Sequence, residues 1–277
     1  MKLSMENSFN KTILLVEDDV IIALGKKNEL ENYGYNVLTA YTGNKAIAVS
    51  EDNNDIDLIL MDIDLGPGID GTIAAEIILK NRDIPVVFMS SHTEPEIIKK
   101  TERITSYGYV VKSSIFTVLD ASIKMAFKLF DAYKKLNESE ERRKEAQRIT
   151  HLGDWELNLR TGELFWSDEI YRMFDLDPND FKPDYQAFLA NIHPDDREFV
   201  NNAYNNSVES KVPYNINHRL LQKNGKVRTV NVRCETFYDD NSIPLRSIGT
   251  ILDITEQKQM EKDLSEANTI INRSPVV

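Results

Sequence analysis

The chain has a single cysteine, and one thiol at Cys234 closes no intramolecular disulfide and supplies no cysteine-rich metal site. A reducing compartment fits this. No apolar run approaches the roughly 18 to 20 residues that span a bilayer, and the first ten residues lack the cationic start and apolar core of a signal peptide. The expected location is therefore the cytoplasm, with no membrane contact in this chain. Positive charge is also short: 33 Lys and Arg stand against 45 Asp and Glu, and the formal net charge of −12 repels nucleic-acid phosphates and anionic surfaces. The one dense basic segment, Arg142 to Lys144, is interleaved with Glu138, Glu140, Glu141 and Glu145, the pattern of a solvated helix. No nucleic-acid partner is expected.

What is present is enough for two domains of ordinary size: 277 residues, 41% apolar and 28% charged. From Lys11 to Lys112 short apolar runs alternate with stretches of helical period, which indicates a parallel α/β sheet. Five strands are expected: TILLV ending at Val16, YNVLT from Tyr35, DLILM ending at Met61, PVVFM ending at Met89 and GYVV ending at Val111. The first, third and fourth are almost continuously apolar, as strands covered by helices on both faces should be. Helical stretches VIIALGKKNELENY, NKAIAVSE and TIAAEIILKN lie between them. In this doubly wound layout the functional crevice opens beyond the carboxyl ends of the strands.

From Ser114 to about Thr150 the pattern is helical, with Leu119, Ile123, Ala126, Phe130 and Tyr133 spaced four, three, four and three apart. Such a heptad seam suits a coiled coil or a helix packed on its own sheet. Intramolecular packing is expected before Phe130, and an exposed or dimeric helix after it. From about Leu152 short alternating strands joined by turns take over: DWELNL, LFW, YNINHRLL, KVRTVNVRCETF and RSIGTILDI, with helices after the second strand. These hairpin signals describe an antiparallel α+β domain, and a last helix is expected from Glu256 to Ile271.

Three carboxylates converge in this scheme, because strand one ends in Glu17 and Asp18 and strand three in Asp62. Their mutual repulsion is tolerated when a hard divalent cation sits among them. Strand four ends in the hydroxyl of Ser90 and strand five in the ammonium of Lys112, a cation that reaches phosphoryl oxygens. Acid pair, acid, hydroxyl and lysine in that order at four strand ends rarely arise by chance.

On ILLVEDD, LILMDIDLGPGIDG, PVVFMSSHT and YGYVVKS, roughly the first 120 residues resemble the response-regulator receiver family, a flavodoxin-like fold. The resemblance implies that Asp62 is the phosphoacceptor and that Mg²⁺ is held by Asp18, Glu17 through water, Asp62 and the backbone carbonyl of Asp64. Ser90 takes the place of the switching hydroxyl, Lys112 that of the conserved-type lysine and Tyr109 that of the aromatic rotamer switch. The implied partner is a histidine kinase or phosphotransfer protein, and the implied chemistry is attack by Asp62 on a phosphohistidine. Mg²⁺ and Lys112 are expected to hold the Asp62 pKa down. The family usually has proline after the lysine with a cis bond; here Ser113 follows, and a cis bond to a non-proline residue costs about 2.5 to 4 kcal/mol, so a trans or strained loop is expected. His92 is read as a solvated loop residue.

Residues from about Ala146 to Met260 resemble the PAS family with its C-terminal motif, on AQRITHLGDWELNLRTGELFWSDEIYRMF, IHPDDR, HRLLQKNGKVRTV and GTILDITEQK. Such domains hold different ligands or none, and no PAS ligand is assigned. His218 alternates with Ile216 and Leu220 and is read as paired or at the surface rather than as a haem ligand; His151 and His193 are read as structural. Cys234, Trp155 and Trp166 are read as core. The expected division is a receiver over 1–120, a helical linker over 121–150, a PAS domain over 151–260, and over 261–277 a signalling helix with the start of a further domain, since INRSPVV resembles another PAS opening. No kinase phosphoacceptor helix, ATP-binding box or DNA-reading helix-turn-helix is recognisable, and the chain is expected to be part of a longer sensor or hybrid kinase. A homodimer through the linker or the PAS domain is a further expectation. Two competing readings are an aspartate-nucleophile phosphohydrolase of the haloacid dehalogenase type, on Asp62-Ile-Asp64, and a scaffold that is never phosphorylated.

Overall fold

In the first half, side-chain alternation along buried strands builds two cores at once. The structure, a computed structural model, describes residues 11–91, 104 and 107–273; His92 and the last four residues lie outside them. Strands β1 (Thr12–Val16), β2 (Asn36–Ala40), β3 (Leu58–Asp62), β4 (Val86–Ser90) and β5 (Gly108–Val111) form a parallel sheet in the order β2-β1-β3-β4-β5. Among the described residues, helices α1 (Val20–Asn32), α2 (Gly43–Asp52), α3 (Gly71–Asn81) and α4 (Phe116–Thr150) accompany this sheet. Leu14, Val16, Ile59, Met61 and Phe88 face Ala46 of α2 and Ala74 and Ile78 of α3. Their neighbours Ile13, Leu15, Leu58, Leu60 and Met89 face Ala23 and Leu30 of α1 and Leu119, Ile123 and Ala126 of α4. A period of two sends successive side chains to opposite faces, so both faces of the sheet are covered.

Strands β3 and β4 each run one residue past the expected end. Asp62 still pairs with Met89, and Ser90 with Val111, because the backbone ladder continues whatever the side chain is. The order reverses around β1, whose neighbours are β2 and β3, and this switch point puts the ends of β1 and β3 side by side. Asp19, Thr42 and Asp70 cap α1, α2 and α3 by accepting bonds from the first free backbone N–H groups.

On α4 the expected seam is buried as far as Ala126; Phe130 meets Tyr107 edge-on at 5.4 Å, and Tyr133 is exposed. A second stripe, offset by one residue, is exposed throughout: Val118, Met125, Leu129 and Leu136.

The second half is an antiparallel sheet of order β7-β6-β10-β9-β8. Its elements are β6 (Leu152–Asn158), β7 (Leu164–Trp166), α5 (Asp168–Phe174), α6 (Tyr185–Ala190), α7 (Arg197–Ser210), β8 (Tyr214–Leu221), β9 (Val227–Tyr238), β10 (Pro244–Asp253) and α8 (Thr255–Arg273). Leu157, Trp166, Val230, Val232, Cys234 and Ile251 form the inner face, against Ile170, Met173 and Phe174 of α5 and Val200 and Tyr204 of α7. Asp253 organises the exit into α8, accepting from the Thr255 N–H at 2.9 Å and from Arg228 Nη1 at 2.5 Å. The chain divides into two compact units, Met1–Glu138 and Ser139–Val277.

Gly249 faces Trp155 across the β6–β10 ladder, and a Cβ there would sit 2.3 Å from the Arg233 carbonyl oxygen and 2.6 Å from the indole ring. Gly249→Ala is expected to destabilise the second unit by about 1 to 3 kcal/mol, the usual cost of overpacking. Two-step denaturant unfolding, followed by tryptophan emission for the second unit and amide exchange for the first, should show the loss in the second unit alone.

Candidate functional site

Glu17 and Asp62 are both completely buried, Asp18 beside them is exposed, and one carboxylate oxygen from each lies within 4.8 Å of the others. The strand ends put them there: Val16 pairs with Met61, so the residues that follow share one edge of the sheet. Lys112, just after β5, donates to Glu17 Oε1 at 2.7 Å and to Asp62 Oδ2 at still closer range. Its own N–H bonds to the carbonyl of Ser90 at 2.8 Å, which ties the lysine to the end of β4. No cis peptide occurs among the described residues. Lys112 thus reaches both acids over a trans bond to Ser113.

Asp62 Oδ1 accepts the backbone N–H of Asp64 at 3.1 Å, while the Asp64 side chain is exposed. Gly66 has φ +62°, a left-handed conformation, and a Cβ at this position would come to 3.0 Å from Asp18 Oδ2. Ser90 is fully buried at the end of β4, and Tyr109 is half-buried against the cluster that includes α2 and α3. The structure thus gathers Glu17, Asp18, Asp62 and Lys112 into one cluster and puts Ser90 at the neighbouring strand end.

Lys26 was not foreseen. Its Nζ lies 3.0 Å from Glu17 Oε2, so both oxygens of the buried Glu17 meet an ammonium group. A signal was available, since Lys26 falls three residues after buried Ala23 and four before buried Leu30, on the inward stripe of α1.

Burial pushes the Asp62 carboxyl up to about 6; the Lys112 hydrogen bond opposes this and the charge of Glu17 adds to it. In the protein's own field desolvation thus outweighs the lysine; the expected lowering also counts the charge of Mg²⁺, which acts in the opposite direction to burial. Burial works against the Lys112 charge, but hydrogen bonds to Asp62 and Glu17 raise its pKa overall. Three acids facing two ammonium groups leave an excess of negative charge and hard oxygen donors, a set that fits a small divalent cation.

The second unit offers a different kind of interior. A cavity of about 40 Å³ is lined by Trp155, Trp166, Phe174, Tyr185, Tyr204 and Tyr214 among others. It is smaller than the roughly 150 Å³ void that admits benzene. Burial raises the Tyr185 and Tyr204 phenols to about 12, and the Cys234 thiol likewise to about 12, which keeps it an unreactive core group. His151 Nδ1 lies 3.2 Å from Glu169, and His193 accepts the Asp195 N–H at the start of a short 3₁₀ turn, both structural as expected.

His218 departs from expectation. It is neither paired nor at the surface: 3% exposed on the inner side of β8, it has no hydrogen-bond partner at either ring nitrogen and meets the edge of Phe188. Burial drives its pKa down to about 4, with only a small opposing effect from Asp196. The unfolded chain therefore binds a proton below about 6.5 that the folded unit refuses until about 4, so stability is complete above that window and falls with pH through it. Urea unfolding of the second unit is expected to lose about 2 kcal/mol between pH 7 and pH 5 from this residue alone, and His218→Leu should remove that part of the pH dependence.

No helix among the described residues is long and apolar enough to cross a membrane. A family model for the response regulator receiver domain matches residues 13–124, and one for the PAS fold matches residues 163–251. Sensor protein FixL of Bradyrhizobium diazoefficiens is 29% identical over 118 residues, 43% of this chain and 23% of that protein. The uncharacterized transcriptional regulatory protein YrkP of Bacillus subtilis is 30% identical over 131 residues, 47% of this chain and 54% of that protein. Among solved structures, the N-terminal domain of a response regulator/sensory box/GGDEF 3-domain protein from Carboxydothermus hydrogenoformans is 43% identical, covering 44% of this chain and 98% of that one, with a TM-score of 0.42. The aligned regions span between 10% and 54% of the first curated relatives' lengths. Strand-end acids in the first unit and an antiparallel hairpin sheet in the second thus have one explanation: the chain carries a response regulator receiver domain followed by a PAS domain.

Proposed function

We propose that the protein is a phosphorelay component in which Asp62 accepts a phosphoryl group from a phosphohistidine on a partner histidine kinase or phosphotransfer protein. The observation that carries this is the buried Asp62 carboxylate held between Lys112 and the Glu17–Asp18 pair. A carboxylate oxygen of Asp62 forms the new bond to phosphorus, the P–N bond to the imidazole breaks, and its electron pair stays on the departing ring nitrogen. Water later attacks the acyl phosphate and returns Asp62. Glu17, Asp18, Asp62 and the Asp64 carbonyl would hold Mg²⁺, which when bound neutralises charge on the transferring group. Lys112 supplies a second cation for the phosphoryl oxygens, Ser90 a hydroxyl that responds to them, and Tyr109 the side chain that changes rotamer with it.

Exposed Val20, Ile21 and Leu24 at the start of α1, with Ile115 just after β5, make an apolar rim on the same edge of the sheet, suited to a helical partner. The phosphohydrolase reading has less support, because it needs the second acid of Asp62-Ile-Asp64 in the pocket and a branched residue at position 66. Asp64 is exposed, and Gly66 has a backbone that branched residues avoid. The proposed division is a receiver over 1–120, a linker over 121–150, a PAS domain over 151–260 and a signalling helix beyond, in a cytoplasmic protein.

Coupling to the PAS domain would run through α4, which packs on the receiver sheet at Leu119, Ile123 and Ala126 and bonds through Arg143 to Asp154 of β6 at 3.1 Å. The exposed stripe Val118, Met125, Leu129 and Leu136 is proposed to seat a second copy of the chain in a parallel pair. In that register Ser122 and Ala132 complete the heptad, and Lys135 of one copy approaches Glu140 of the other.

After treatment with acetyl phosphate and Mg²⁺, intact-mass measurement is expected to show one added phosphoryl group on the parent and none on Asp62→Asn. An unmodified parent would end the phosphoacceptor reading. In sedimentation equilibrium, Met125→Lys combined with Leu129→Lys is expected to convert a dimer to a monomer.

A further inference from the structure

Glu17 has no exposed surface, and it receives one ammonium on each oxygen: Lys112 at 2.7 Å on Oε1 and Lys26 at 3.0 Å on Oε2. The two lysines differ in what else they hold. Lys112 is shared with Asp62, whereas Lys26 pairs with Glu17 alone among the described residues. Lys26 is also well enclosed, its side chain only 12% exposed, and it projects from α1 rather than from a strand end. Both lysines line one groove between α1 and the segment after β5, bounded by Ile22, Glu29 and Phe116.

We infer that Lys26 is a positioning residue for the phosphoryl-transfer site: a standing counter-ion that keeps Glu17 compensated so that Lys112 can turn to the phosphoryl group. This rests on the phosphoacceptor reading. When Lys112 serves a phosphoryl oxygen it no longer neutralises Glu17, and a buried carboxylate that loses a partnering cation is destabilised. Lys26, already on the other oxygen, removes that conflict. The same charge has a second consequence, because it subtracts from the negative potential that draws a divalent cation to Glu17, Asp18 and Asp62. Cation affinity is thereby held below what three acids and one lysine would give, and Lys112 is left mobile.

The two consequences have opposite signs when Lys26 is neutralised, which separates a positioning role from a merely structural one. Lys26→Met is compared with Lys26→Gln, which keeps a polar end should the methionine fail to fold, with Lys26→Arg, and with Lys27→Met. Lys27 carries the same charge one position away but pairs with Glu31 at 3.7 Å, so it controls for net charge. Isothermal titration with MgCl₂ alone is expected to show Lys26→Met and Lys26→Gln binding Mg²⁺ roughly fivefold more tightly, the effect of one charge on a divalent ion through a strongly screened medium. In EDTA the same variants should melt at lower temperature, and at saturating Mg²⁺ acetyl phosphate should label them several-fold more slowly, with Lys112 drawn back to Glu17. Lys26→Arg and Lys27→Met should match the parent. Unchanged or weaker Mg²⁺ binding in the Lys26 variants, or an equal gain in Lys27→Met, overturns the role of Lys26 while leaving the phosphoacceptor intact. A parent that neither binds Mg²⁺ nor accepts a phosphoryl group overturns both.

Discussion

Two carboxylates with no exposed surface, Glu17 and Asp62, sit at adjacent strand ends and tolerate each other only because ammonium groups stand between and beside them. Removing a carboxylate from water costs several kcal/mol after relaxation, and a like charge nearby adds to the cost. The raised pKa of Asp62 is the measure of that tension: even with Lys112 in hydrogen-bond contact, burial dominates. A site arranged in this way gains from any added positive charge, and the chemistry proposed for it depends on that gain.

The sheet supplies the rigidity that makes the tension usable. β1, β3 and β4 are buried on both faces, so the ends that carry Glu17, Asp62 and Ser90 are fixed by two separate cores rather than by a flexible loop. Lys112 is held by a backbone bond to the end of β4, and Gly66 brings the loop after β3 close to Asp18. Small displacements at Asp62 would therefore be felt first at the loops and at the helix that packs beside β5, because packed strands do not deform continuously.

The second unit handles buried polarity in the opposite way. His218 is enclosed without a hydrogen bond and stays neutral by surrendering its proton affinity, whereas the acids of the receiver stay charged by acquiring partners. Its cavity is narrow and walled by aromatic rings, and Trp155 occupies the space that the missing side chain of Gly249 leaves open.

Much of this was legible in the residues alone. Short apolar runs in the first half and alternating ones in the second identified the ten described strands to within a few residues, and the acid pair, acid, hydroxyl and lysine at strand ends located the cluster, because strand direction in a parallel sheet sends every such end to one edge. Local pattern did not reveal which charge meets which. Lys26 is nine residues from Glu17 and reaches it only after α1 packs against the sheet. The exposed stripe on α4 is likewise hidden in a sequence where two apolar seams run side by side, and only packing decided that Leu119, Ile123 and Ala126 turn inward while Val118, Met125 and Leu129 turn out. His218 carries the same lesson, since alternation placed it on a face but not among partners. The linear order of side chains determined the elements and the edge on which the chemistry lies; burial and pairing, which set the charge state of each group, arise from contacts between segments far apart in the chain and were decided only by the tertiary structure.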